Sequence, residues 1–509
     1  MAAALACLLP LLLQVRIELS IGLAVLATLG VAVARPWPTY LRLFLVLMVV
    51  GYVLVSHSFS IGRDTGCALL AAMLVLKIFE TSDLRDARSL LGFSLFAPFA
   101  AFLQDQGPLA MALALPAIAL LLLSLSVLAE HRPGAAVPVF DRRRAGLAAT
   151  AIGMSLPLAL AGFWLFPRLG SPLWGMPENA MGRSGLSDKM SPDQWIEMFA
   201  DDEPALRVRF PDGEPSPGEM YWRAQVLWDF DGRTWSRGNV RVAGQVPVIR
   251  PRVPVLRYEV DMEPTDRRYL PVLDITLAAP AGSELGSDLT VRPDRPVSTL
   301  IQYEAVAAVR AEVGERLGPR ERRAALSLPA GLNPRTRALA AKWRTEAAGD
   351  DEAVVRRALD WIGAEFSYSL TVPPTGRDAV DEFLFGTQVG FCQHFSSAFA
   401  ALMRGAGIPT RVVIGYAGGY RNRYGDYWVV RGTDAHAWNE VWLRGRGWVR
   451  VDPTAAVAPS RILDTVEDLA RAESLLPETF GPLRDMGDWM RRGWNDFVLG
   501  FNAARQASL

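Results

Sequence analysis

The chain has 509 residues, half of them hydrophobic, and its 53 basic and 53 acidic side chains give a formal net charge of +0. That balance leaves no electrostatic footprint for a nucleic-acid partner. Three cysteines and four histidines exclude a disulfide framework and a zinc quartet, and no cofactor or metal is expected. Mean hydropathy is +0.17, high for a chain of balanced charge. The excess is local: residues 1–166 are packed with Leu, Ala, Val and Phe, whereas the remainder has globular composition. The length accommodates roughly three domains of about 100–200 residues each.

Apolar runs near 1–15, 17–34, 41–57, 66–80, 89–104, 108–129 and 145–166 predict an all-α transmembrane bundle over 1–166, with six or seven helices. The runs keep coming, so the first is not read as a cleavable signal. Arg35 and Arg42 flank one connection, Lys77, Arg85 and Arg88 a second, and Arg132 with Arg142, Arg143 and Arg144 a third. The alternating connections hold Arg63 alone, or Gln104-Asp105-Gln106 with no cation. Cation-rich connections face the cytoplasm. The chain after Phe166 is therefore expected outside it, on the periplasmic face of a multi-pass inner-membrane protein. His57, Lys77 and Glu80 lie at helix edges rather than mid-span, which argues against an intramembrane transport site.

Residues 167–320 read as a linker followed by a β-rich extracytoplasmic domain. Strand-like runs at Leu206–Phe210, Tyr221–Trp228, Val255–Met262, Arg268–Leu273, Leu289–Arg292 and Leu300–Val309 are separated by turn signals such as Asp231-Gly232. Asp229-x-Asp231-Gly232 lacks the ligand ladder of a calcium loop and reads as a hairpin turn. The stretch shows no chemistry of its own.

Residues 330–460 change character. Helices are expected over 335–347 and 352–366, then a short one near Asp378–Phe385, then one starting at Cys392 and stopped by Gly405, Gly407 and Pro409. Strands follow at Thr410–Tyr416, Tyr427–Arg431, Ala435–Leu443 and Trp448–Asp452, which makes an α+β domain. A thiol at a helix N-terminus faces unpaired N–H groups and the positive end of the dipole, and both favour thiolate. Such a nucleophile needs a base, and the base needs an orienting acceptor. His436 and Asp452 stand on consecutive strand runs, and they share a face only if the intervening loop is odd in length, as Arg444–Arg446 would be. His394 is a competing base but points away from Cys392 along the helix. Asp426, Asp434 and Glu440 are competing acids, and Glu440 shares a face with His436. Trp438 and Trp442, with Trp428, could wall an acceptor channel or simply be core.

Three blocks carry a resemblance: Gly390-Phe391-Cys392-Gln393-His394, Asp434-Ala435-His436-Ala437-Trp438, and Gly447-Trp448-Val449-Arg450-Val451-Asp452-Pro453-Thr454. Together they resemble the transglutaminase-like superfamily, in a branch of bacterial membrane proteins with a multi-helix N-terminus and a β-rich extracytoplasmic segment. The resemblance implies a papain-like core over 330–460, with Cys392 as nucleophile, His436 as base and Asp452 as its orienting partner. It also implies acyl transfer through a thioester, from a glutamine-containing protein or peptide to an amine acceptor; location alone points to envelope material as the substrate. A cysteine peptidase or amidase with the same triad, and an inactive peptide-binding module, remain as alternatives. Members of that branch continue into another span. Here 461–509 reads as an amphipathic helical tail carrying Trp489, Trp494, Phe497 and Phe501.

Overall fold

A computed structural model of the chain describes residues 1–32, 37–57, 59, 62–130, 141–165, 186–191, 203–238, 247–252, 255–265, 267–373, 375–459 and 481–495. Residues 167–185 of the linker expected to reach about Pro192, the loop carrying Arg132, and Phe497 and Phe501 lie outside those residues. The chain forms two compact units, Met1–Glu178 with Gly487–Leu509, and Asn179–Met486.

In the helical unit the apolar runs become Ala2–Leu12, Ile17–Ala32, Thr39–Ser56, Arg63–Ile78, Leu84–Ser94, Phe96–Gln104, Pro108–Glu130 and Arg142–Leu165. The fifth run is split in two, and the chemistry of Pro98 explains where. Proline lacks an amide hydrogen and its ring crowds the carbonyl four residues earlier, here that of Ser94, where the first piece stops. Four stretches are long and apolar enough to cross a membrane: Thr39–Ser56, Leu84–Gln104, Pro108–Ala129 and Arg142–Gly162. The interior of the unit is built largely from small side chains, including Ala71, Ala72, Ala97, Ala101 and Ala117, packed with Leu11, Leu23 and Leu121. Small residues let helix backbones approach closely where apolar surroundings supply no hydrophobic drive.

The second unit is organised by two sheets. One runs in the order Ile249–Pro251, Ala311–Val313, Gly447–Val451, Ala435–Leu443, Thr410–Ala417, Tyr221–Leu227, Val272–Leu273. The other runs Tyr420–Arg421, Trp428–Arg431, Pro204–Arg209, Val255–Met262, Ile301–Ala308, Thr276–Ala278. Each sheet therefore joins strands from before and after residue 320: Thr410–Ala417 pairs with Tyr221–Leu227 in the first, and Trp428–Arg431 with Pro204–Arg209 in the second. Where the sequence suggests a β-rich domain set apart from a catalytic core, the two are hydrogen-bonded into one body. Tyr221–Leu227 is buried along its whole length, the mark of a strand covered on both faces, and it lies beside Thr410–Ala417.

The helix Cys392–Gly405 packs into the centre of this unit. Phe395, Phe399 and Leu402 recur on one face and are fully buried, as the apolar spacing predicts. Each such side chain contributes roughly 1.5–3 kcal/mol on leaving water. Arg404, near the other end of the helix, is buried and donates to the carbonyls of Thr410, Ser327 and Trp228 at 2.9, 2.8 and 2.7 Å. Burial pushes its pKa down to about 9. The Asp231 turn closes as read, with Oδ1 accepting from the N–H groups of Arg233 and Thr234 at 2.9 and 2.7 Å.

Candidate active site

Cys392 is the first residue of its helix, behind Phe391 in extended conformation (φ −124°, ψ −178°). First-turn N–H groups have no acceptor within a helix, so they surround the thiol with positive potential. Two hydrogen bonds fasten this end of the helix to the strand carrying His436. Ser396 Oγ donates to the Ala437 carbonyl at 2.7 Å, and Asn439 Nδ2 donates to the Ser396 carbonyl at 3.0 Å. They hold the start of the helix against the strand of His436, with the Cys392 side chain near enough to the imidazole to raise its pKa.

The strand pairing fixes the third member. Asn439 stands opposite Val451 and Leu443 opposite Gly447, joined by the three residues 444–446, the odd loop required by the sequence argument. Its geometry depends on two glycines: Gly445, at its centre, has φ +81°, and Gly447, where the next strand begins, has φ +75° with the Val313 carbonyl so close that a Cβ would lie 2.0 Å from it. With an odd loop, residues of even number on both strands share a face. His436 Nε2 accordingly meets Asp452 Oδ2 at 2.7 Å. Asp452 Oδ1 accepts from the Thr454 N–H at 2.9 Å and thereby caps the short helix Pro453–Val457.

Cys392 and His436 are buried, and the Asp452 side chain is 5% exposed. Burial alone would depress the His436 pKa, but the Asp452 carboxylate and the Cys392 side chain raise it to about 10. For Asp452, burial acts upward, and the His436 imidazole, the Tyr221 hydroxyl and the Thr454 N–H together bring it below its ordinary value. The pair is thus tuned for an imidazolium beside a carboxylate.

Tyr221 is what sequence reading misses. The stretch 167–320, read as having no chemistry, supplies it: the Tyr221 hydroxyl donates to Asp452 Oδ2 at 2.8 Å, the same oxygen that takes the His436 bond. Burial and the Asp452 charge push its pKa well up, so it stays a proton donor. Its ring stands edge-on to Trp438 at 5.2 Å, and the Arg450 guanidinium lies 4.0 Å over it. No spacing rule links residues 231 positions apart. The available hint is composition, since a run as bulky as Tyr221-Trp222-Arg223 without polar alternation indicates a strand buried on both sides.

The competing groups are accounted for elsewhere. His394 packs on Phe391 and Phe383, with ring centroids 4.5 and 5.7 Å away. Glu440 shares the His436 face but is held by Arg223 and by Arg411, whose Nε lies 2.6 Å from Oε2. Asp434 Oδ2 accepts from the Arg431 N–H at 2.8 Å, and Asp426 pairs with Arg421. Trp438 stacks on His436 at 6.2 Å, Trp442 donates to the Gly314 carbonyl at 3.0 Å, and Trp428 belongs to the other sheet. Only Trp438, then, touches the His436 side of the site. Among the described residues no group of three or more His, Cys, Asp or Glu could hold a metal ion.

Comparison with known proteins gives the family. The TgpA N-terminal domain family matches residues 1–313, and the transglutaminase-like superfamily matches 337–453. A protein-glutamine gamma-glutamyltransferase of Pseudomonas aeruginosa is 36% identical over 489 residues, covering 93% of this chain and 72% of its own length. YebA of Bacillus subtilis, an uncharacterised protein, is 39% identical over 137 residues, 25% of this chain and 18% of that one. The crystal structure of the periplasmic domain of TgpA from Pseudomonas aeruginosa is 39% identical, with a TM-score of 0.53 over 56% of this chain and 99% of that one. The same domain bound to ethylmercury gives a TM-score of 0.52, with 39% identity over 55% of this chain and 100% of that one. The chain belongs to the transglutaminase-like superfamily, as a transglutaminase-type acyltransferase of the group that carries the TgpA N-terminal domain.

Proposed function

We propose that the protein is a membrane-anchored protein-glutamine gamma-glutamyltransferase whose reaction is carried by Cys392, His436 and Asp452. The observation that carries the reading is the His436 imidazole bonded to Asp452 at 2.7 Å on Nε2, on a strand to which the helix start bearing the Cys392 thiol is fastened by Ser396 and Asn439. The Cys392 thiolate attacks the side-chain carboxamide of a glutamine. The tetrahedral oxyanion is met by the Cys392 N–H, which has no acceptor within the helix. Ammonia leaves with the proton held on His436, and a thioester remains. An amine then attacks the thioester, His436 takes its proton, and the isopeptide-type amide departs with the thiolate regenerated. Asp452 fixes the ring orientation and stabilises the imidazolium.

The domain reading that goes with it is a transmembrane bundle over 1–166, an extracytoplasmic β-rich stretch over 167–320, the core over 330–460 and a helical tail over 461–509. The catalytic unit faces the periplasm of an inner-membrane, multi-pass protein, and its substrates are envelope proteins or peptides. The cation-rich connections and the periplasmic domain of the Pseudomonas aeruginosa relative support that side.

The test uses the whole chain in detergent or lipid, with a glutamine-containing protein and a labelled primary amine, read by mass spectrometry. Amine adducts on glutamine that vanish in Cys392→Ala are expected. Deamidation or backbone cleavage without adducts, even at high amine concentration, would replace this reading with an amidase or peptidase. A reporter fused after residue 320 should be active only outside the cytoplasm and one at 136 only inside. The reverse pattern overturns the periplasmic assignment.

A further inference from the structure

The helix Gly481–Trp494 is inside out for a water-soluble surface helix. Asp488 and Asn495, at i and i+7, are 8% and 5% exposed, whereas Trp489 and Met490 are 49% and 50% exposed. A helix that buries its polar side and presents its apolar side is stable only if something apolar meets it. Residues of the helical unit fix where that side lies. Arg491 Nη2 donates to Asp105 Oδ1 at 3.2 Å, and Trp494 Nε1 donates to the Gln106 carbonyl at 2.7 Å. Asp105 and Gln106 form the turn between Leu84–Gln104 and Pro108–Ala129, two of the stretches long and apolar enough to cross a membrane. The end of this helix is therefore anchored at the level where two spans reach the membrane edge. Trp beside Arg is the composition that settles at that level, the ring among headgroups and the cation in reach of phosphate.

We propose that the 487–494 part of this helix lies in the plane of the membrane surface, with Trp489 and Met490 inserted into the lipid at the end of the Leu84–Gln104 and Pro108–Ala129 spans. The occupant is the bilayer itself. A nitroxide placed singly at 489, 490 and 491, in full-length chain lacking Cys7, Cys67 and Cys392 and reconstituted into phosphatidylethanolamine–phosphatidylglycerol vesicles, reads this directly. The first two positions should collide several-fold more with oxygen than with an aqueous nickel chelate, and position 491 should favour the chelate. Chelate access at 489 and 490 equal to that of a label at Arg320, which is exposed in the other unit, would overturn the proposal. So would protection from both reagents, which would mean that protein covers the face.

A separate observation assigns Tyr221 a positioning role, resting on the triad proposed above. Asp452 Oδ2 receives both the Tyr221 hydroxyl, at 2.8 Å, and His436 Nε2, at 2.7 Å. A donor shared on one oxygen limits how strongly the carboxylate pulls on the imidazolium and fixes the plane of the carboxylate. Tyr221 thus sets the proton affinity of His436 through Asp452 without touching the reacting atoms. In Tyr221→Phe, the pH midpoint for alkylation of Cys392 by iodoacetamide should fall by about half a unit or more, since the unshared carboxylate favours the thiolate–imidazolium pair. kcat should fall about tenfold with KM unchanged. An unmoved midpoint in folded Tyr221→Phe protein refutes the role. Loss of the His436 dependence of that alkylation would instead refute the triad, so the two failures are distinct.

Discussion

His436 and Glu440 stand four residues apart on one strand, on one face, both buried, and each sits in a charged network; they differ in what surrounds them. Glu440 accepts from two arginines, Arg223 and Arg411, and Arg223 in turn holds Asp274 at 2.7 Å. Burial would raise its pKa, but the paired guanidinium groups keep it well below the usual carboxylate range. Every charge there is permanent near neutrality, and the network can only hold the sheet together. His436 has one carboxylate, one thiol and a proton to move. The lesson is that positions on one strand face become structural with arginine partners and chemical with a titratable one, because arginine keeps its charge near neutral pH while imidazole can give up its proton.

Removing the nucleophile should give the largest effect on the chemical side. Cys392→Ala is expected to lose acyl transfer by a factor on the order of 10⁶, with the melting temperature little changed. His436→Ala and Asp452→Asn should each lose about 10²–10⁴-fold, and His436→Ala should move Cys392 alkylation to higher pH, because the imidazolium that favours thiolate is gone. An unchanged alkylation profile in His436→Ala would break the comparison at its centre.

The structural side should fail differently. Glu440→Gln leaves Arg223 and Arg411 short of a counter-charge and should destabilise the unit by about 3–5 kcal/mol in urea unfolding, while activity per folded molecule stays near that of the parent. A catalytic loss at constant stability would make Glu440 part of the chemistry.

The pH dependence sharpens the contrast. His436 is raised to about 10 from 6.5, so its stabilising contribution is complete below about 6.5 and is lost as pH rises through about 10. Glu440 is depressed, so its contribution is present above its unfolded value near 4.5 and is lost only in acid. The melting-temperature gap between parent and His436→Gln should narrow between pH 6.5 and 10, and that between parent and Glu440→Gln should narrow only in acid. The smallest effect is expected at the loop: Gly445→Ala forces φ +81° on a residue with a Cβ, for about 1 kcal/mol.

Local patterns alone determined much of this protein. Val255–Met262, Ala435–Leu443 and Cys392–Gly405 appear as read, because alternation and helical spacing are properties of short stretches whose burial is strong. The odd loop needed to put His436 and Asp452 on one face follows from strand parity, and it is the loop observed. The tertiary structure decided what distant stretches do together. It placed Tyr221–Leu227 inside the sheet of the core, brought the Tyr221 hydroxyl to Asp452, gave Glu440 its two arginines, and turned Trp489 and Met490 outward. Those pairings join residues tens to hundreds of positions apart, and their choice depends on which surfaces are already covered, which no local period records.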